Sequence, residues 1–149
     1  MTRIKQSVVL LAMAVILWSY SFAAYAGIPL THRDHAQAAV FVTGHPRADG
    51  SLDLHWDALA RAGQTVCIFM GRTSLAQTMA ALRAHGLPDD WPAALIAQGT
   101  LEAQQVVVGT LESLPARVDA AQVEGACLVI VGEVVRLREQ LRWFGDREG

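Results

Sequence analysis

Three stretches of this chain run from apolar sequence into residues that could do chemistry. The first is Gly27-Ile28-Pro29-Leu30-Thr31-His32-Arg33-Asp34. A Gly and a Pro shape a tight loop, and Thr31, His32 and Arg33 can present donors to a carboxylate, Arg in bidentate fashion. His32 and His35 with Asp34 also have the types of a metal site, but no further Cys or His cluster joins them, and a cap on the turn over 34–37 is the better-supported use. The second is Phe69-Met70-Gly71-Arg72-Thr73-Ser74, a strand running into glycine and a helix start. Open α/β sheets bind ligands beyond the carboxyl ends of their strands, where helix N-termini supply backbone donors. The third, Ala97-Gln98-Gly99-Thr100, also runs from strand to glycine, and Gly99 lets a planar ring or a backbone come close. Taken singly, Met70 reads as core, and Gly71 and Gly99 as turns.

No GxGxxG, Walker lysine loop, HExxH or CxxC pair occurs. The two cysteines, Cys67 and Cys127, lie in the apolar runs TVCIFM and ACLVIVG, where a free thiol behaves as a small hydrophobe. A disulfide or a nucleophile stays open, with no activating base nearby in sequence. The chain has 149 residues, 52% apolar and 17% charged, with net charge −2. That supports one domain with a core and gives no electrostatic case for nucleic acid or an acidic membrane surface.

The elements that must hold these loops alternate. Apolar runs predict strands over 38–43, 64–70, 93–97, 105–109 and 127–131, the second one continuous, as in an interior strand covered on both faces. Helices are expected over 56–62, from a Thr73 or Ser74 cap to Gly86 with Leu75, Met79 and Leu82 on one face, and over 113–121 with Pro115 in the first turn. A final amphipathic helix carries Val134, Leu137, Leu141 and Phe144. Five short strands with interleaved helices make an α/β domain.

The start is different. No charge occurs from Gln6 to Thr31, Arg3 and Lys5 precede this stretch, and Ala24-Tyr25-Ala26 ends its apolar part. Basic start, apolar middle and small-x-small end are the grammar of a secretory signal, and the stretch also reaches bilayer-spanning length, about 20 residues. A helix buried in the domain or at a partner surface is the other reading.

Taken together, YAGIPLTHRDHAQ followed by VTGH, then IFMGRTS, ALIAQGT and LVIVGEVVRLREQLRWF resembles the uroporphyrinogen-III C-methyltransferase family. The resemblance runs from about Ala23 to Phe144, in the family's order and spacing. It implies the C-terminal domain of the tetrapyrrole methylase fold: α/β, an approximately five-stranded mixed sheet with flanking helices, here preceded by an apolar N-terminal helix. It also implies the family's chemistry, in which S-adenosyl-L-methionine gives two methyl groups to uroporphyrinogen III, forming precorrin-2 on the way to sirohaem or cobalamin. By the same resemblance Met70 and Gly99 are the cofactor-binding positions, and Thr31, His32 and Arg33 face the substrate. Uroporphyrinogen carries eight carboxylates, so Arg33 and Arg72 are reasonable anchors for it. No acid or base is assigned.

The chain departs from the family at its start. The family's Gly-rich loop and GGD-type loop are missing, and Ala14-Val15-Ile16-Leu17-Trp18-Ser19 stands where a Pro-Gly-Ile/Val-Thr-Ala-like stretch is expected. The expected division is therefore an unrelated apolar segment over 1–22 and a methylase C-terminal domain over 23–146. The expected function is tetrapyrrole methylation by a truncated form not active alone; a non-catalytic binding or pairing module derived from the fold is the alternative. Ala24-Tyr25-Ala26-Gly27 belongs to the family pattern and needs no signal peptidase. The resemblance implies a cytoplasmic protein, a homodimer or a partner to a complete methylase, with a membrane anchor through residues 8–26 as the alternative.

Overall fold

The computed structural model describes residues 2–145, with side chains from residue 5 onward. The first residue of the segment expected over 1–22 and the last of the domain expected over 23–146 fall outside the described residues, as does the side chain of Arg3. Helix α1 spans Thr2–Tyr25 and is followed by strand β1 (Ala38–Thr43), α2 (Trp56–Leu59), β2 (Gln64–Phe69) and α3 (Leu75–Ala84). Then come β3 (Pro92–Ala97), β4 (Gln105–Thr110), α4 (Leu114–Ala121), β5 (Cys127–Val131), a 3-10 turn over Glu133–Leu137 and α5 (Arg138–Leu141).

The strands form one mixed sheet in the order β1-β2-β5-β3-β4. β1 and β2 are parallel, while β5 runs antiparallel to both β2 and β3, and β4 antiparallel to β3. Hence β1, β2 and β3 all point the same way, and their carboxyl ends share one edge with the start of β5. β2, β3 and β5 are buried on both faces, which is why they read as continuous apolar runs.

Alternation sorts their side chains into two cores. Val66, Ile68, Leu95, Val129 and Val131 face Leu75, Met79 and Leu82 of α3 and Leu114 and Val118 of α4. Cys67, Ala94, Ile96, Leu128 and Ile130 face the other way, against Phe22, Ala23 and Ala26 at the end of α1, with Ile28, Leu30, Val134 and Val135. Packing thus begins before position 23, and α1 is one unbroken helix across it. Its last turn is fastened by side chains that take its orphan carbonyls: Trp143 Nε1 donates to Ala24 O (2.9 Å), Gln104 Nε2 to Tyr25 O (3.2 Å) and an Arg138 guanidinium N–H to Ala26 O (2.5 Å).

Three local expectations change. Ser74 stands at the helix start without capping it, because its hydroxyl donates instead to Gly44 O at 2.5 Å, a buried bond between two loops. The helix expected over 56–62 ends at Leu59. The final helix is a 3-10 turn plus one α turn: Val134 is buried but Leu141 is 48% exposed. The chain extends at Arg142 so that the rings of Trp143 and Phe144 reach Tyr25, at 5.0 and 4.8 Å between centroids. Those aromatic contacts, with the Trp143 Nε1 bond to Ala24 O, hold the extended form in place of the expected helical continuation.

Candidate functional site

Met70 follows the last residue of β2, and Gln98-Gly99 follow the last residue of β3. Phe69 pairs with Leu128 and Ala97 with Cys127, so only the start of β5 stands between the two loops. Two strand spacings separate them, about 10 Å. Both loops turn through left-handed backbone on non-glycine residues, Met70 and Gln98 at φ 49° and Thr100 at 73°. Such residues cost roughly 1–3 kcal/mol each and cluster where a site demands the shape. The strain swings the Met70 side chain outward, 58% exposed.

Two pockets open on this edge, of about 550 Å³ and about 520 Å³. The first has an apolar floor of Val15, Trp18, Phe69 and Met70 and a polar rim of Thr43, His45, Arg72 and Thr73. The second lies beside Gln98, Gly99 and Thr100. Trp18, Gly125 and Ala126 line both, so the Trp18 side chain partitions one continuous slot. The Ser74–Gly44 bond sets the rim, because it ties the loop carrying His45 to the loop carrying Arg72.

Gly99 receives a ring, and the ring is the chain's own. A Cβ at Gly99 would lie 2.4–2.6 Å from three ring atoms of Phe22. Phe22 in turn packs against Trp18, 4.0 Å between centroids, and Trp18 stacks on Phe69 at 6.1 Å. An aromatic row from α1 therefore crosses the carboxyl edge of the sheet, and the bare α-carbon of Gly99 lets it approach.

The cysteines divide along the same line. Cys67 is walled into the sheet, and burial pushes its thiol up to about 12. Cys127 lies on the Met70-side pocket; burial raises its thiol too, opposed by the charge of Arg72 and a backbone hydrogen bond there. Neither is a ready nucleophile, because the thiolate is the disfavoured form. The described cysteines form no disulfide.

Thr31, His32 and Arg33 are elsewhere. Ile28 and Leu30 anchor their loop in the second core, and His32 and Ala36 exchange backbone hydrogen bonds of 2.8 and 2.9 Å across a small turn. Gln37 N–H then donates to Gly63 O, so the loop delivers the chain to the amino ends of β1 and β2. That is the opposite edge from Met70, about 20 Å away along a six-residue strand. Thr31 and Arg33 are exposed there. His32 Nδ1 accepts from Asp34 N–H (3.2 Å), and its ring lies 5.1 Å from that of His35. Among the described residues no group of three or more His, Cys, Asp or Glu could hold a metal. The structure thus brings together Met70, Gly99 and Arg72, and leaves Thr31, His32 and Arg33 apart from them.

Sequence reading missed Trp18, His45 and the Gly125–Cys127 strand start as slot residues. Their only sequence signal was position next to a strand, which cannot say which strands become neighbours.

The model of the tetrapyrrole (corrin/porphyrin) methylases matches residues 20–115. The siroheme synthases of Methylobacillus flagellatus and Gluconacetobacter diazotrophicus are 54% identical over 120 residues and 58% identical over 116. These matches take 80% and 78% of this chain but 26% and 25% of the relatives, so the chain spans about a quarter of their length. Among solved structures, a uroporphyrin-III C-methyltransferase from Thermus thermophilus superposes with a TM-score of 0.67 at 29% identity, over 84% of this chain and 51% of that one. The same enzyme complexed with S-adenyl homocysteine gives 0.62 at 27%, over 78% and 51%. A cobalt precorrin-4 methyltransferase at 19% identity (TM-score 0.69, over 78% and 49%) shares the fold. A sheet of this order with its strand-end slot, matched over most of its length, places the chain in the tetrapyrrole (corrin/porphyrin) methylase family.

Proposed function

We propose that this chain supplies one wall of the S-adenosyl-L-methionine slot of a uroporphyrinogen-III C-methyltransferase, and that it works only with a second wall contributed by another methylase half. The observation that carries this is the convergence of the Met70 and Gly99 loops on one sheet edge, on either side of Trp18. The Met70-side pocket suits such a cofactor: its apolar floor accepts an adenosyl or thioether portion, and Arg72, His45 and Thr73 on the rim can meet a carboxylate and hydroxyls. The Gly99 side fits less well, because Phe22 already covers the α-carbon of Gly99.

When bound, the cofactor would supply an electrophilic sulfonium methyl group. This chain's residues would hold and orient it, since alignment of the reacting atoms can contribute about 7–11 kcal/mol toward the barrier to methyl transfer. Trp18 and Phe69 would exclude water from the slot, and Arg72 would anchor a carboxylate. Arg33, exposed at the far edge, could reach a peripheral carboxylate of a large substrate, but it would not touch the reacting carbon. The family's wider setting, a cytoplasmic enzyme of sirohaem or cobalamin synthesis, belongs to the same proposal.

Isothermal titration with S-adenosylhomocysteine tests it, using the chain alone and then the chain mixed with the amino-terminal half of a siroheme synthase methylase domain. Binding to the chain alone is expected near 1 mM, tightening at least tenfold in the mixture. Met70→Asp, at an exposed position, is expected to remove the gain. Micromolar binding to the chain alone, no gain on mixing, or no effect of Met70→Asp overturns the proposal.

A further inference from the structure

Helix α1 has two parts with different surroundings. Its last third is docked: Ser19, Phe22 and Ala23 are at most 3% exposed. The rest projects. Val8, Val9, Leu10, Leu11, Met13, Ile16 and Leu17 are each 41–66% exposed. At 100° per residue these side chains point to every side of the helix, with no polar face between them. A partner protein or a second copy would need one apolar stripe with a wet face behind it; a helix apolar all round needs an apolar medium all round.

The ends of the helix agree with that. Arg3 and Lys5 stand at one end and Tyr25 at the other, with no charge between Gln6 and Thr31. Basic residues favour the phosphates of a lipid headgroup layer, and Trp and Tyr favour the other interface of the same bilayer. Residues 5–25 form a helix long and apolar enough to cross a membrane.

Length then sets a constraint. The projecting part, residues 5–17, reaches only about 20 Å at 1.5 Å per residue. A hydrocarbon core of about 30 Å needs about 20 residues, here 6–25. Residues 18–25 are therefore claimed twice, by the sheet and by the bilayer. We infer that α1 is a bilayer-inserting helix, and that full insertion draws Trp18–Tyr25 off the sheet, opening the slot partitioned by Trp18 and the face above Cys67. This inference does not depend on what the slot binds.

The test uses the full chain and vesicles of phosphatidylcholine with phosphatidylglycerol. Three readouts are taken: co-sedimentation, trypsin digestion from outside, and maleimide labelling of Cys67 in a Cys127→Ser background. The wild-type chain is expected to pellet with the vesicles, and Leu10→Asp with Leu11→Asp, both at exposed positions, to lower the bound fraction at least tenfold. Trypsin is expected to leave a membrane fragment of residues 1–33, uncut at Lys5, because that end has crossed. Cys67 is expected to label at least tenfold faster in the bound chain than in solution. A chain that stays in the supernatant, or binding indifferent to the two Asp substitutions, overturns the lipid assignment. Cleavage at Lys5 in the bound chain, or Cys67 labelling no faster than in solution, overturns the withdrawal of residues 18–25.

Discussion

Adding one methyl group at Gly99 is a sharp probe of the slot. In Gly99→Ala the new Cβ would lie 2.4 Å from the nearest ring carbon of Phe22 and 2.6 Å from two others. Carbon atoms rest at about 3.5–4.0 Å, so ring and methyl must separate by about 1 Å. The ring has little room to retreat, since Phe22 is 3% exposed and Trp18 lies behind it at 4.0 Å. Backbone strain does not confound the result, because the left-handed glycines do not include Gly99. Overpacking of this kind costs about 1–3 kcal/mol. At about 2–4 °C per kcal/mol for a domain of this size, thermal unfolding by circular dichroism should show Tm lower by about 6 °C. Phe22→Ala alone removes a buried ring and should cost about 3–5 kcal/mol. If the clash carries the first loss, the double variant should be more stable than the sum of the two by at least about 1 kcal/mol. Additive losses, or a Gly99→Ala change within about 0.5 kcal/mol of wild type, would refute the claim that Gly99 exists in this chain to admit Phe22.

Two further outcomes follow from buried groups. The Cys67 thiol titrates at about 12 in the fold but near 9.0 when unfolded, so the native state holds the extra proton and stability falls as pH rises from about 9 toward 12. The slope is at most about 1.4 kcal/mol per pH unit, and Cys67→Ala should flatten the alkaline fall in urea midpoint by that contribution. The hydroxyl of Thr65 is buried in β2 without a hydrogen-bond partner among the described residues. Thr65→Val keeps its shape and removes the orphan oxygen, so the urea midpoint should rise by an amount worth about 1 kcal/mol; a fall would show that the hydroxyl is satisfied in solution.

All five strands were legible in the sequence because each is a short apolar run bounded by turn residues, and β5 was placed to the residue. Met70 was read as the end of β2, yet it leaves the strand with φ 49°. Nothing local to Phe-Met-Gly announces a left-handed methionine, which only its neighbours enforce. The last helix failed for a related reason: the spacing of Val134, Leu137, Leu141 and Phe144 was helical, but Tyr25, over a hundred residues earlier, offered the aromatic rings a better contact.

What the sequence determined alone is therefore the local vocabulary: which segments are strands, where glycine permits close approach, that 6–31 is uncharged, and which family's motifs are present. Tertiary structure decided that β5 inserts antiparallel between β2 and β3, which sets Met70 and Gly99 about 10 Å apart. It also set Thr31, His32 and Arg33 at the far edge, and settled how much of α1 docks and how much projects. Periodicity reports only which face of an element is apolar. Which apolar face meets which other one depends on contacts between residues distant in the chain, and no window along the sequence contains both partners.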